Sequence, residues 1–278
     1  MKKFLKYLLL PCAAIAFISC SDDDSNNDNP SIESLPLLKS LVYPTMNNPN
    51  DELPIDLNEY YYYNDNDYLI KAEGDSKFQG EYVYDSNDIL ISKTIGGIVE
   101  YTYEYDNLGR ITKQVSNYNG DYIQLFYEDG KVITHRYVES SNKLEKREFL
   151  LDSEGRIIKM IDLDPTVSVI LVDSEEYQYD SNGNIVTVIK QLQGQEPETE
   201  NYSYLETKNP YYYSLKKYYE VTYFIENYDR LRVYNYKHGL CPNLPVIEST
   251  DFDINDIGFP LNEHSNDTEE VYCTYNYY

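Results

Sequence analysis

The sequence predicts an all-β protein: an up-and-down antiparallel meander of repeated hairpins forming one large, strongly twisted and curved sheet or a partly closed barrel. Three observations predict it. A turn-centred unit recurs along the chain, most often at a spacing of 21 residues. That length holds two strands of ordinary size and a turn, with no room for a crossover helix. The chain also carries 33 tyrosines and no tryptophan, and tyrosine is a strand former that buries its ring while keeping its hydroxyl wet.

The first element is not part of that fold. "MKKFLKYLLLPCAAIAFISC" places Lys2, Lys3 and Lys6 before an apolar stretch from Tyr7 to Ile18, too short to span a bilayer as a permanent helix. Residues 1–19 therefore read as a secretory signal peptide. The closing "FISC" resembles the lipobox of bacterial lipoproteins, in which the cysteine, here Cys20, is lipidated and becomes the new N-terminus. Phe17 stands where that pattern prefers leucine. Residues 20–33, beginning "CSDDDSNNDNP", have nothing to bury at their start and read as a flexible acidic tether. The acidic run resembles the surface-export signal of Bacteroidota lipoproteins; a solvated linker alone is the other reading.

Residues 34–278 form the single hairpin-repeat domain. Leu37 to Tyr43 reads as its opening strand. The repeat is then anchored on Asp67, Asp88, Gly109, Gly130, Gly155 and Gly183, residue types that tolerate positive φ. Two residues after each anchor stands Leu69, Leu90, Ile111, Val132, Ile157 or Ile185; four residues before it stands Tyr63, Tyr84, Tyr105, Phe126, Leu151 or Tyr179. A type I turn closed by a left-handed residue makes a hairpin with a G1 bulge. It would set Tyr179 against Ile185 and Tyr177 against Thr187, with the Tyr179 side of each hairpin facing the core. Tyr62 with Ile70, Val83 with Ile91, Leu125 with Ile133 and Leu150 with Ile158 make the opposite face apolar in four hairpins, so that some should be covered on both sides.

Beyond Gln191 the frame weakens. The tyrosine-rich stretch around Leu215 is open to a short helix or to strand. "LRVYNYKHG" reads as strand, "NDIGFPL" as a seventh turn around Gly258, and "VYCTYNYY" as a terminal strand.

"YTYEYDNLGRI" and "YQYDSNGNI" resemble the YD repeat of the Rhs and teneurin group. The order of hairpins, "TKNPYYY" with Asn209 and Pro210, "PNLPV" with Asn243 to Pro245, the "GFP" turn at Gly258 to Pro260 and a tyrosine-rich closing strand resembles a family of Bacteroidota lipoproteins of unknown function with a porin-like fold. The resemblance covers most of Tyr60 to Tyr278. It implies a fold and an outer-membrane, cell-surface address rather than a reaction.

The formal charge is −25, and −28 once residues 1–19 are removed. Nucleic acid and anionic membrane surfaces are disfavoured as partners, since both demand basic patches. Contact with the membrane is expected through the lipid anchor only. The chain carries no HExxH pair, GxSxG elbow, phosphate-binding GxxxxGK[ST] loop or CxxC pair, and His135, His238 and His264 are scattered, so neither a cofactor nor an enzyme is expected. Asp251, Asp253 and Asn255 match the first ligand positions of a calcium loop, but Asp256 replaces its glycine and Asn262 its glutamate, which favours a solvated turn. Cys241 and Cys273 are either two buried thiols or a disulfide pair. The expected function is a non-catalytic extracellular binding module for a glycan or protein ligand; a structural or assembly component of an outer-membrane complex is the alternative, and an enzyme comes third. The repeated positions are all explained by hairpin geometry, so binding is expected in the non-repetitive part, Gln191 to Pro260, with Tyr211 and Tyr212 as candidate ligand-binding residues. The lipobox is testable directly: Cys20→Ala should move the protein from the membrane fraction to the soluble fraction, and retention in the membrane would refute the lipid anchor.

Overall fold

The computed structural model describes residues 35–43, 58–163, 172–192, 194–228, 231, 239–247, 250–265 and 271–278. Cys20, the signal peptide and the tether lie outside these residues, as does nearly all of "LRVYNYKHG".

Strand β1 (Leu38–Val42) opens the domain. Six hairpins follow: β2 (Glu59–Tyr63) with β3 (Leu69–Gly74), β4 (Gly80–Tyr84) with β5 (Leu90–Ile95), β6 (Ile98–Tyr105) with β7 (Ile111–Ser116), β8 (Tyr122–Glu128) with β9 (Lys131–Val138), β10 (Lys143–Leu151) with β11 (Ile157–Asp162), and β12 (Val172–Tyr179) with β13 (Ile185–Leu192). Strand β14 (Glu198–Asn201) lies against β13, and β15 (Tyr204–Lys208) pairs with β16 (Asn243–Pro245) in a separate two-stranded sheet. Helices α1 (Pro210–Ser214) and α2 (Lys216–Glu226) come between them. The seventh hairpin, β17 (Thr250–Ile254) with β18 (Pro260–Ser265), and the terminal strand β19 (Val271–Tyr277) complete the chain.

The main sheet has 17 strands. Its pairings run from β17 through β18 and β19 to β1, then in sequence order from β2 to β14. It is an antiparallel meander, not closed into a barrel. The last strand joins the first: Leu41 opposes Tyr275, and the Tyr278 amide donates to the Leu37 carbonyl at 3.1 Å.

Six of the seven hairpins share one turn. The anchors have φ between 59° and 88°, and in each the strand register shifts by one residue just before the turn. That bulge places Tyr177 against Val188, not against Thr187, while Tyr179 does oppose Ile185. The six aliphatic residues two positions after the anchors are all fully buried. They pack with the rings six positions before the anchor, Tyr61, Tyr82, Tyr103, Phe149 and Tyr177.

The hairpin at Gly130 departs from the frame. Glu128 opposes Lys131, so only two residues make its turn. A two-residue loop in place of a three-residue one with its bulge reverses the faces of the strand before it. Leu125 is therefore buried at 4% exposure, Phe126 is 39% exposed, and the place of the frame tyrosine falls to Tyr127. On the opposite face Tyr62, Ile70, Val83, Ile91 and Ile158 are exposed rather than covered.

At Tyr84, Tyr105 and Tyr179 the tyrosine four residues before the anchor has a specific task, which Tyr127, Tyr204 and Tyr277 share. The hydroxyls of Tyr84, Tyr105, Tyr127, Tyr179 and Tyr204 donate to the carbonyls of Leu69, Leu90, Ile111, Ile157 and Ile185, at 2.5 to 2.9 Å. Tyr277 does the same to Pro260 at 2.7 Å. Each acceptor is the core aliphatic residue, or Pro260 in its position, of the preceding hairpin. The ladder between hairpins stops two residues short of it, at Lys71, Ser92, Lys113, Lys159, Thr187 and Asn262. A strand carbonyl left without a ladder partner in a half-buried place needs a donor, and the tyrosine of the next hairpin supplies one. Between β9 and β10 the ladder continues to the turn, with Lys131 opposite Leu150 and the Leu151 amide donating to the Gly130 carbonyl at 2.9 Å. Here the frame position is Leu151, which has no hydroxyl.

The residue three positions before the anchor closes the turn. Asn64, Asp85, Asp106, Asp152, Asp180 and Asn255 each accept two backbone amides on one side-chain oxygen, at 2.8 to 3.1 Å. This is an Asx turn, in which a short side chain replaces a backbone acceptor.

The stretch around Leu215 is helical. Asn209 accepts the Tyr211 amide at 3.1 Å as N-cap and Pro210 takes the first position. Tyr211, Leu215, Tyr218, Tyr219, Thr222 and Ile225 are buried, three or four residues apart and hence on one helical face, which a strand could not achieve. The helices pack against one face of the sheet. Tyr211 meets Tyr61 edge-on, Tyr218 meets Phe78 and Tyr82, and Phe224 meets Tyr127 and Phe149.

The Asx turns make stability depend on pH. Turn amides from Ile89 and Asn87 hold Asp85 below the usual carboxylate range. Partial burial pushes Asp106, Asp152 and Asp180 up, but their turn amides, with Arg110, Arg156 and Asn184 respectively, outweigh it and lower all three. A carboxylate lowered by folding stabilises above its unfolded pKa of about 3.9, and that contribution is lost as pH falls through the folded value. Replacing all four with asparagine should preserve the turns at pH 7, since Asn64 and Asn255 already serve there, and should flatten the fall of the urea midpoint between pH 5 and 3. An equally steep fall in the substituted protein would contradict this.

Candidate binding pocket at the open rim

The hairpin turns all lie at one rim of the sheet, and β1 enters from that rim because it runs antiparallel to β2. The interior is aliphatic and aromatic there. Toward the opposite rim it becomes polar: Lys93 opposes Tyr101, Gln114 opposes Ile123, Arg136 opposes Glu145 and Arg147 opposes Asp162. Burial pushes the Lys93 ammonium pKa down, against the fields of Glu226 and Glu100.

A cavity of 270 Å³ opens at this rim. Strands β6 and β7 contribute Tyr101, Gln114 and Ser116; the turn between β7 and β8 contributes Asn119 and Asp121. Tyr122, Ile123 and Arg136 come from β8 and β9, and Ile225 and Tyr228 from the end of α2 and the residues after it. Two guanidiniums hold Tyr228 in place: Arg136 lies 5.5 Å and Arg147 4.9 Å from its ring, and Arg147 also donates to its carbonyl. Arg136 faces Glu145 at 3.7 Å. Burial raises the pKa of both Tyr101 and Tyr228, so the two phenols stay neutral donors and acceptors at physiological pH. Tyr122 stacks on Tyr137 with centroids 5.2 Å apart.

Asp121 has both carboxylate oxygens engaged, one by the Glu139 amide at 2.9 Å and the other by the Asn119 side-chain amide at 3.0 Å. It shapes the wall. The pocket thus combines aromatic rings with amide, hydroxyl and guanidinium groups, a set suited to a small ligand rich in hydroxyls.

The residues singled out from sequence lie elsewhere. Tyr211 is 1% exposed, and its hydroxyl donates to the buried Glu59 at 3.1 Å; it is a core residue rather than a surface one. Tyr212 is half-buried and stands edge-on to Tyr213. Cys241 and Cys273 are both buried and are not joined in a disulfide. The Cys241 sulfur lies 3.5 Å from the Ile185 amide and 3.2 Å from the Tyr204 hydroxyl, and burial raises its pKa. Cys273 lies 3.4 Å from Glu263. Asn255 closes a turn, and Asp253 takes the Asn262 amide at 3.0 Å. Among the described residues no group of three or more histidine, cysteine or carboxylate side chains is placed to hold a metal ion.

Most of the pocket comes from repeat strands and their turns, with Ile225 and Tyr228 alone from the stretch after Gln191. Its walls gather residues 101 to 228, brought together by strand pairing and by the helix end. The one sequence signal was "SNYNGD", a turn whose tyrosine the hairpin frame does not use. Comparison with protein families and with curated proteins finds no match to this chain.

Proposed function

We propose that the protein is a lipid-anchored, surface-exposed, non-catalytic module of the bacterial outer membrane that binds an extracellular glycan. The observation that carries this reading is the rim pocket, in which Tyr101 and Tyr228 stand beside Gln114, Asn119 and Arg136. Sugars are recognised by that combination, with apolar ring faces against aromatics and hydroxyls against planar polar groups. The engaged carboxylate oxygens of Asp121 support a binding rather than a catalytic role.

A specific observation favours a second reading, an assembly component binding protein. Tyr62, Ile70, Val83 and Ile91 form an exposed apolar group across two adjacent hairpins on the outer face of the sheet, the kind of surface that protein partners cover.

A glycan array probed with the mature domain distinguishes the two. The first reading expects saccharide binding that Gln114→Ala and Tyr101→Ala each weaken by about ten-fold or more, equivalent to about 1.4 kcal/mol, with Val83→Ser without effect. Absence of any saccharide binding, together with capture of an outer-membrane protein that Val83→Ser abolishes, would replace it with the second.

A further inference from the structure

We propose that the pocket is the inner of two adjoining subsites and that Tyr118 forms the outer one, so that the ligand is an oligosaccharide taken by its end. The proposal rests on the glycan reading above and adds to it a minimum length. Tyr118 is 90% exposed. It stands in the turn between β7 and β8, between two residues that line the pocket, Ser116 and Asn119. Among the described residues its ring stacks on no other aromatic ring, so it is presented to solvent beside the mouth.

The backbone beneath that ring is fixed. The Gly120 amide donates to the Ser116 carbonyl at 3.0 Å and the Asn117 amide to the Glu100 carbonyl at 2.8 Å. Asn119 and Asp121 exchange two further hydrogen bonds at 3.0 Å, and Asp121 takes the Glu139 amide at 2.9 Å. Gly120 has φ +76°, and a Cβ there would run into the Glu139 carboxylate. A solvent-facing aromatic on a rigid turn loses little conformational freedom when a ligand covers it, which is the condition for an efficient stacking platform. Val99 is exposed nearby, and the Asn117 side-chain amide ties its carbonyl to the turn at 3.4 Å.

The size of the cavity supplies the second argument. At 270 Å³ it lies at the lower end of small-molecule sites and admits about one sugar ring. The next ring of a chain must emerge at the mouth, where one wall carries Tyr118. An exposed aromatic face there suits the C–H face of that second sugar.

Titration calorimetry of the mature domain with glucose, mannose, a linear glucotetraose and a linear mannotetraose tests the assignment. The expected result is that a tetrasaccharide binds at least ten-fold more tightly than its own monosaccharide. Tyr118→Ala should remove that advantage, Tyr118→Phe should retain it, and Gln114→Ala should weaken the monosaccharide and the tetrasaccharide alike. Equal affinity of monosaccharide and tetrasaccharide, or an advantage that survives Tyr118→Ala, overturns the outer subsite while leaving the pocket as a sugar site. If none of the four sugars binds and the glycan array is also blank, the outer subsite and the glycan reading fall together.

Discussion

Four hairpins of this sheet are each coupled to the one before by a tyrosine hydroxyl, of Tyr84, Tyr105, Tyr127 or Tyr179, that reaches back to a carbonyl the strand ladder leaves unpaired. The rest of the architecture follows from that coupling. A hairpin on its own is marginally stable in water, and one that pairs with its neighbour over only part of its length would splay at the turn rim. The hydroxyl closes the gap there, so that the buried aliphatic residue beside each turn stays covered. Where the ladder itself closes the gap, between β9 and β10, the chain carries Leu151 in place of tyrosine. The exception shows that the hydroxyl, and not only the ring, explains the tyrosine.

The abundance of tyrosine therefore has two causes at two depths. Tyr61, Tyr82, Tyr103 and Tyr177 fill the core around the helices, while Tyr84, Tyr105, Tyr127 and Tyr179 stand half-buried at the turn rim with their hydroxyls engaged. At the opposite rim no such bracing is required, and the interior there holds Lys93, Gln114, Arg136 and Arg147 instead. The cavity opens at this polar rim, away from the turn rim at which β1 begins.

Much of the fold was legible because hairpin geometry constrains single positions. Positive φ selected the anchors, and burial selected the aliphatic residue after each. The turn at Gly130 was misread because an Asp-Gly pair serves both a two-residue and a three-residue hairpin loop, and only the pairing of Glu128 with Lys131 separates them. The helix at Leu215 stayed open because tyrosine suits either structure; the Asn-Pro cap and the three-to-four spacing of buried residues decided for helix. The Asx acceptors were hidden among other turn formers. The site was least legible, since Gln114, Arg136 and Tyr228 become neighbours only through a sheet many strands wide. Of the two residues chosen for lying outside the repeat, Tyr211 is buried in the core and Tyr212 is half-buried.

The hydroxyl coupling is tested most directly by replacing Tyr84, Tyr105 and Tyr179 with phenylalanine one at a time and measuring urea unfolding, with Tyr118→Phe as the exposed control. Each ladder substitution keeps the ring and leaves one carbonyl without its donor, which should lower stability by about 1 to 2 kcal/mol, while the control should not change it measurably. Ladder variants as stable as the control would show that the rings alone hold the hairpins together and would contradict the account.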